Sequence, residues 1–315
     1  MKKAIQETLN RIVLRLAGDR WHWILAPSIN KLWRRRDREY AWSGFRYLID
    51  SAPEVIWGGV GGDSYTGWVY QQGYLSALLR QYTAGPSATI LDFGCGFGKV
   101  APITPALTYP EGRYFGLDIR EECIEYCWRQ YAHVPRVEFH CSRDYNATYS
   151  DSEFAAVPVG KLVGERTGER GRQNSYGRDW PVAEESVDLA VGMSVFTHLQ
   201  EEESLGYMAR IHEVLKPGGV AIFSMLIVGS PRVPSGFEAE TQYIRQVHDF
   251  LTSLPPSHEY FTSNPERPED AIGVSMAGLE EMVRGRLSIE KIIWGSVLGG
   301  QEPFPHELVI LRKPT

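Results

Sequence analysis

The composition of this 315-residue chain is that of a globular protein, with 43% hydrophobic and 23% charged residues, so overall disorder is excluded. The net charge of −6 is unevenly placed: residues 1–40 hold ten Lys and Arg against four acids, a net +6 that leaves −12 for the rest. Because an acidic body binds phosphates poorly, these charges argue against a broad nucleic-acid interface.

Cysteine spacing and the lack of a long apolar run indicate a protein of a reducing compartment. Cys95, Cys123, Cys127 and Cys141 form no CxxC pair, so we predict free thiols and no zinc framework. The N-terminus lacks the apolar core of a signal peptide, and no apolar run approaches the roughly 18 residues of a membrane span. We therefore predict a soluble, cytoplasmic protein, with peripheral attachment to the inner face of the membrane as the alternative.

A basic helical arm is predicted over residues 1–58. Its apolar residues recur at spacings of three and four, the period of an amphipathic helix, and the stretch that follows them is rich in Trp and Arg. Two interpretations stay open. The arm binds an anionic membrane surface or a protein partner, or its apolar stripe packs on its own body or on a second subunit, which we favour.

From residue 88 the chain alternates between strand-like and helix-like segments, which predicts βαβ units and a doubly wound parallel sheet. The predicted strands are "ATILDF", "GRYFGLDI", "RVEFHC", "SVDLAVGMSVF", "VAIFSMLIV", "LSIEKIIWGSV" and "HELVILRKP". "EECIEYCWRQYA" and "EEESLGYMARIHEVL" are predicted as helices, the second closed by the stop signal "KPGG". "GKVAPITPAL" is predicted as an irregular helix because it contains two prolines.

Two segments, 146–180 and 229–274, interrupt the alternation of strands and helices and are predicted as lid insertions. The first is polar and glycine-rich, and the second carries six prolines and a helical piece around "AETQYIRQVHDFLTSL". Both follow the carboxyl ends of predicted strands, the side on which open α/β sheets bind ligands. We expect the two insertions to shape the pocket of the acceptor.

The turn after the first predicted strand holds Gly94, Gly96 and Gly98, which let a ligand approach the main chain closely. A dinucleotide fingerprint, G-x-G-x-x-G, requires its third glycine at position 99, which is Lys99 here. Asp92 precedes the first glycine by two residues, and a carboxylate there disfavours a pyrophosphate and suits a cationic ligand. S-adenosylmethionine has a sulfonium, an amino group and no phosphate, so these residues favour it over NAD.

These motifs resemble those of the class I S-adenosylmethionine-dependent methyltransferases. "LDFGCGFGK" is similar to their first motif, "YFGLDI" to their ribose-binding strand, "WPVAEESVDLAVGMSVFTHL" to their fourth-strand signature and "MARIHEVLKPGGVAIFS" to the elements that follow. The resemblance covers residues 60–228 and implies a Rossmann-like α/β fold with a mostly parallel seven-stranded sheet, in a domain at 59–315. More narrowly, "SVFTHL", "NPERPEDAIGVS" and "WGSVLGGQEPFPHELVILRKP" resemble a bacterial subgroup associated with glycan and cell-surface polysaccharide modification.

The resemblance also implies a cofactor site at the ends of the predicted strands. Asp92 and the glycine backbone would hold the methionine portion, Asp118 the ribose, and Ile119 the adenine ring. Arg143 stands where the subgroup has an acid, so the residue that contacts the adenine amine stays open between Ser142 and Asp144. The full set of expected cofactor residues is Asp92, Gly94, Cys95, Gly96, Gly98, Asp118, Ile119, Ser142, Asp144 and Ser194.

His198 in "SVFTHL" is the candidate general base, because a hydroxyl acceptor must lose its proton as the bond to the methyl group forms. It follows the fourth strand, whose carboxyl end faces the methyl group in this family. A histidine that only bonds the nearby backbone and shapes the loop is an equal alternative. The other candidate bases are His306, Glu307, Asp144 and Tyr65. No metal is expected, because no paired acids occur near the predicted methyl site.

The sequence favours methyl transfer to a hydroxyl of a sugar, glycan or small molecule by in-line displacement. "GMSVF" stands where amide and nucleobase N-methyltransferases carry an N-P-P-Y-like tetrapeptide. An N-methyltransferase of a small amine remains an alternative, and so does a non-catalytic, cofactor-binding partner of a glycan-assembly enzyme. An NAD-dependent oxidoreductase is disfavoured by Lys99.

Overall fold

The computed structural model describes residues 65–108, 111–132, 134–146, 175–228, 252–262, 264–295 and 306–315. The predicted arm at 1–58 lies outside these residues, as do positions 147–174 of the first insertion and 229–251 of the second. No helix in the described ranges combines the length and the apolar character that crossing a membrane requires. All four cysteines are free, as predicted.

The described residues form ten strands and five α-helices. The strands are β1 Thr89–Phe93, β2 Arg113–Asp118, β3 Val137–Cys141, β4 Val187–Gly192, β5 Leu215–Val228, β6 Thr252–Leu254, β7 Tyr260–Thr262, β8 Ile272–Ser275, β9 Ser288–Ile293 and β10 Glu307–Arg312. The helices are α1 Tyr65–Tyr82, α2 Thr104–Thr108, α3 Glu121–Tyr131, α4 Glu201–Val214 and α5 Met276–Val283. Short 3₁₀ turns lie at Ala101–Ile103, Phe196–His198 and Pro268–Asp270. Neither α1 nor α5 is predicted from the sequence.

Seven of these strands make the doubly wound sheet that the sequence predicts. Parallel pairing gives the order β3-β2-β1-β4-β5, and β10 pairs antiparallel with both β5 and β9. Burial on both faces explains the continuous apolar runs of the central strands, since β1, β4 and β5 are buried along most of their length. The mostly parallel α/β fold is confirmed.

A three-stranded extension of the sheet, β6 to β8, corrects the predicted strand count. β8 runs parallel to the last three residues of β5, β7 pairs antiparallel with β8, and β6 with β7. The described part of the insertion at 229–274 is therefore sheet, and Thr252–Leu254, the end of the predicted helical piece, is a strand. Strands of three or four residues between prolines show no alternation long enough to be recognised from the sequence.

The stop signal "KPGG" follows the end of its helix, as the sequence predicts. Helix α4 ends at Val214, and these four residues belong to the beginning of β5, which starts at Leu215. Gly218 has a φ of +77°, and the register between β4 and β5 shifts at this point. The left-handed glycine thus gives an irregular start to a strand that becomes regular from Val220 onward.

An aromatic cluster underlies the carboxyl ends of the central strands. It consists of Phe93, Trp180, Phe196, Tyr207 and Phe223, each no more than 8% exposed. The ring centroids of Phe93 and Tyr207 lie 4.7 Å apart, and those of Phe196 and Phe223 lie 4.8 Å apart, within the range of favourable aromatic contact. The residues that follow β1 and β4 therefore lie on closely packed aromatic side chains.

Candidate functional site

The turn after β1 has a backbone that only glycines adopt without strain. Gly94, Gly96 and Gly98 have φ values of +72°, +52° and +83°. A Cβ atom added to Gly94 would lie 2.3 Å from Cγ2 of Val195, which follows β4. Between the glycines, the backbone N–H of Cys95 donates to the carbonyl of Leu117 at 2.8 Å and fixes the turn to β2. The three predicted glycines therefore form a cradle that any side chain would fill or distort.

Asp118, the last residue of β2, lies against this turn. Its Oδ2 accepts a hydrogen bond from the backbone N–H of Gly96 at 2.8 Å, and its Oδ1 accepts one from the N–H of Arg120 at 2.9 Å. Burial raises the pKa of Asp118, and the two backbone N–H groups oppose that rise by stabilising the carboxylate. The structure thus places Asp118, the residue predicted to bind the ribose, against Gly96. Ile119 follows it and is partly exposed.

Asp92 lies inside β1 and is 1% exposed. The hydroxyl of Tyr114 on β2 donates to its Oδ2 at 2.6 Å. Burial raises the pKa of Asp92 to about 7; the bond from Tyr114 and the charge of Lys99 act in the opposite direction, while the charge of Asp118 adds to the rise. Tyr114 is a partner that the sequence analysis does not identify, because no local pattern links it to Asp92 across 22 residues. A contact of Asp92 with the methionine portion stays a prediction.

The loop after β3 connects the site to the end of the first insertion. The backbone N–H of Ser142 donates to the carbonyl of Asp118 at 2.8 Å, and its hydroxyl donates to Asp144 at 3.1 Å. The buried carboxylate of Asp144 also accepts from the backbone N–H groups of Ser175 at 2.6 Å and Gly177 at 3.2 Å. Asp144 therefore fastens residues 175–177 to this loop, whereas Ser142 is attached to Asp118. An adenine contact for either residue stays a prediction.

The residues after β4 have an unusual backbone. Ser194 is exposed and has a φ of +60°, in the left-handed region that a non-glycine residue rarely occupies. Its N–H donates to the hydroxyl of Ser224 on β5 at 2.6 Å, which holds this conformation in place. Strained backbone of this kind is concentrated at functional sites, where the surrounding structure maintains it.

His198 ends the 3₁₀ turn Phe196–His198, three residues before α4. Its ring nitrogen Nδ1 lies 2.8 Å from the backbone carbonyl of Glu269, and its own carbonyl accepts from the side-chain amide of Asn146 at 2.9 Å. Because a carbonyl only accepts, Nδ1 carries the proton and the basic lone pair is on Nε2. Burial lowers the pKa of His198, and the contact with Glu269 and the charge of Asp270 oppose that shift.

Lys99 and His306 lie within electrostatic range of one another, and His306 also lies within range of His198. Burial lowers the pKa of Lys99 to about 8, opposed by the charge of Asp92. Burial, then the charges of His198 and Lys99, lower the pKa of His306 to about 4. His306 is therefore neutral at pH 7 and a weaker base than an ordinary histidine.

The other candidate bases are less well placed. Glu307 is 0% exposed, and its Oε2 accepts from the N–H of Ile227 at 2.9 Å. Burial raises the pKa of Glu307 to about 7. The carboxylate of Asp144 is engaged by the loop contacts described above, and the side chain of Tyr65 lies outside the described residues. Within those residues, no three His, Cys, Asp or Glu side chains are grouped as a metal site requires.

The chemistry of these residues fits S-adenosylmethionine. Three glycines bring the main chain against the carboxylate of Asp118, and the turn lacks the G-x-G-x-x-G spacing of a dinucleotide site because position 99 is Lys99. The sequence profile of a family described as "Methyltransferase domain" matches residues 68–261, more than half of the chain. The chain belongs to this methyltransferase family. Membership of this family and the chemistry of the site together support S-adenosylmethionine as the cofactor.

Individual relatives of this methyltransferase are distant. An uncharacterised 37.1 kDa protein encoded in a transposon of Streptomyces fradiae is 25% identical over 182 residues, 56% of this chain and 41% of that protein. The chain thus spans about two fifths of the length of this relative.

Two solved structures are also similar. An S-adenosylmethionine-dependent methyltransferase of Methanosarcina mazei aligns with 75% of this chain and 97% of its own, at 15% identity and a TM-score of 0.44. The geranyl diphosphate C-methyltransferase of Streptomyces coelicolor aligns with 77% of each chain, at 12% identity and a TM-score of 0.45.

Proposed function

We propose that this methyltransferase transfers the methyl group of S-adenosylmethionine to a hydroxyl of a sugar, glycan or other small molecule, with His198 as the general base. The observation that carries the proposal is the contact of Nδ1 of His198 with the carbonyl of Glu269, at 2.8 Å. It gives a partly buried histidine at the carboxyl end of the central sheet one defined tautomer, with Nε2 as the proton acceptor.

The cofactor, when bound, supplies a methyl group on a positively charged sulfur, which is already activated for displacement. The glycine cradle and Asp118 would hold it, and the residues after β4 would face the acceptor. Orientation of two reactants in this way contributes up to about 7–11 kcal/mol in well-aligned systems. The chain therefore needs to add little chemistry beyond positioning and the removal of one proton.

A hydroxyl acceptor requires that proton transfer, and His198 has the properties for it. Since burial lowers its pKa below that of an ordinary histidine, His198 is neutral at pH 7, which is the form that a general base must have before the reaction. Proton transfer by a positioned side chain contributes typically about 10²–10⁴-fold to the rate. An amine acceptor that is already uncharged would need this assistance much less, which is why the histidine favours the hydroxyl.

The glycan class of acceptor is supported by two of the stretches that resemble the bacterial glycan-modifying subgroup. "SVFTHL" contains His198, and "NPERPEDAIGVS" contains Glu269, 71 residues later in the chain. These two stretches are in contact in the fold. A pair of sequence motifs that meet at one ring nitrogen is more informative than either motif alone.

The test is transfer of labelled methyl groups from S-adenosylmethionine to matched acceptors, for which simple sugars and the corresponding amino sugars are suitable. We expect label in the hydroxyl acceptors, and a roughly 10²–10⁴-fold lower turnover for His198→Ala with unchanged cofactor affinity. His140→Ala, at a partly exposed histidine on β3, is the matched control and should turn over normally. Label confined to the amines, or near-normal turnover of His198→Ala, would contradict the proposal.

A further inference from the structure

The connection between β7 and β8 is a turn built by its own side chains. The buried hydroxyl of Thr262 donates to the carbonyl of Pro268 at 3.1 Å and accepts from the N–H of Asn264 at 3.2 Å. The side chain of Asn264 accepts from the N–H of Glu266 and donates to the carboxylate of Asp270, both at 3.2 Å. Two polar side chains thus fix both ends of the 3₁₀ turn Pro268–Asp270.

This turn contacts residues 198–200, between β4 and α4, at two points. The carbonyl of Glu269 accepts from Nδ1 of His198, and the carboxylate of Glu269 is hydrogen-bonded by the side-chain amide of Gln200, just before α4. From the other direction, Asn146 in the loop after β3 donates to the carbonyl of His198. The ring and the backbone of His198 are therefore held by elements 71 and 52 residues away in the sequence.

We propose that the turn Pro268–Asp270 is the positioning element of the general base: the carbonyl of Glu269 holds the imidazole of His198 in its Nδ1–H tautomer and in one orientation. The inference rests on the proposed role of His198. Glu269 acts through the histidine and has no assigned contact with the reacting atoms, so it is a positioning residue.

A carbonyl suits this task because it orients the ring without adding a full negative charge. A carboxylate in the same place would stabilise the charged imidazolium and so raise the pKa of the histidine. The neutral orienting group leaves burial as the dominant influence on His198, which keeps the ring in its basic, neutral form. The three-stranded extension of the sheet therefore has a role beyond covering the edge of β5, because its turn carries this carbonyl.

The tautomer is directly measurable in the 315-residue chain labelled with ¹⁵N-histidine. The ring nitrogens of the eight histidines report their protonation in long-range ¹H–¹⁵N spectra, and His198→Ala assigns the signals of His198. We expect the pattern of an Nδ1–H imidazole in the wild type. Asn264→Ala, which removes two turn contacts, should mix the tautomers and lower kcat by roughly 10- to 100-fold at unchanged cofactor affinity.

The matched control is Ser257→Ala, in the turn between β6 and β7 of the same extension. Among the described residues, the hydroxyl of Ser257 accepts a single long contact, 3.4 Å, from the N–H of Glu259. This variant should keep both the tautomer and the turnover of the wild type.

Two results would overturn the inference, and they are distinguishable from failure of the proposed function. An Nε2–H imidazole at His198 in an enzyme that His198→Ala inactivates would refute the positioning role alone. An Asn264→Ala variant with wild-type tautomer and kcat would do the same. Full turnover of His198→Ala would instead remove the base itself, and the positioning role with it.

Discussion

The contact between Asp118 and the glycine turn allows a quantitative prediction for Asp118→Asn. The two carboxylate oxygens accept from the N–H of Gly96 at 2.8 Å and the N–H of Arg120 at 2.9 Å. An amide of the same shape has only one oxygen, so one of the two N–H groups would face an NH₂ group. The variant therefore loses one charge-assisted hydrogen bond within the protein and also the negative charge expected to bind the ribose.

The two losses are measured separately, the first as a fall in Tm and the second as weaker binding of the cofactor. A hydrogen bond to a charged group contributes about 1.5–3 kcal/mol, and in a domain of about 150–250 residues each 1 kcal/mol lowers Tm by roughly 2–4 °C. We thus expect Tm to fall by roughly 3–12 °C without cofactor. If Asp118 binds the ribose hydroxyls, a second loss of about 1.5–3 kcal/mol weakens S-adenosylmethionine binding by roughly 10- to 150-fold.

Asp188→Asn is the control that separates stability from binding. Asp188 lies near the start of β4, and its Oδ2 accepts from the N–H of Thr89 at 2.8 Å and from Nζ of Lys216 at 2.7 Å. This variant should lower Tm by a similar amount and leave the cofactor Kd, measured by titration calorimetry, within about twofold. Equal losses of affinity in both variants would refute a direct role of Asp118 in cofactor binding.

Three further predictions concern stability, measured by urea unfolding. Gly94→Ala should lower the free energy of unfolding more than Gly285→Ala does. Both positions have positive φ values, which carry a penalty of about 1–2 kcal/mol for alanine, but of these two only the Cβ at Gly94 would overlap another side chain. Asp144→Ala should lower the free energy of unfolding by about 2–5 kcal/mol, because the buried N–H of Gly177 and the partly buried N–H of Ser175 lose their acceptor. A loss below about 1 kcal/mol would show that the 175–177 segment is held by other contacts. Glu307 has a folded pKa raised to about 7 from its ordinary 4.5, so the unfolded chain binds fewer protons between these values and wild-type stability falls as pH rises through this window. Glu307→Gln should lose less stability from pH 4.5 to 7, and parallel curves for the two proteins would contradict the buried carboxyl as the cause.

The proposed catalytic centre combines residues of the doubly wound sheet with a residue of the three-stranded extension. The cofactor turn and His198 follow β1 and β4 of the doubly wound sheet. The carbonyl that holds the histidine comes from the added β7–β8 turn. This extension lies in a segment that the sequence marks only as an insertion.

The sequence by itself determined the parts of this protein that depend on local pattern. Gly94, Gly96 and Gly98 were recognisable because their positive φ values demand glycine within one turn, and the buried strands because their apolar runs are continuous. Asp118 was predicted from the resemblance of "YFGLDI" to a ribose-binding strand, and it lies against the middle glycine. These local features carry the resemblance from which the family, the fold class and the cofactor were predicted.

Only the tertiary structure decided which distant residues meet. Tyr114 bonds Asp92, Ser175 and Gly177 bond Asp144, and the carbonyl of Glu269 bonds His198. The β6–β8 extension likewise depends on pairing with β5 rather than on its own propensity. Such contacts are made by backbone groups and single side chains brought together by sheet pairing. Because a backbone carbonyl is the same in every residue, no sequence pattern marks the one that orients the histidine.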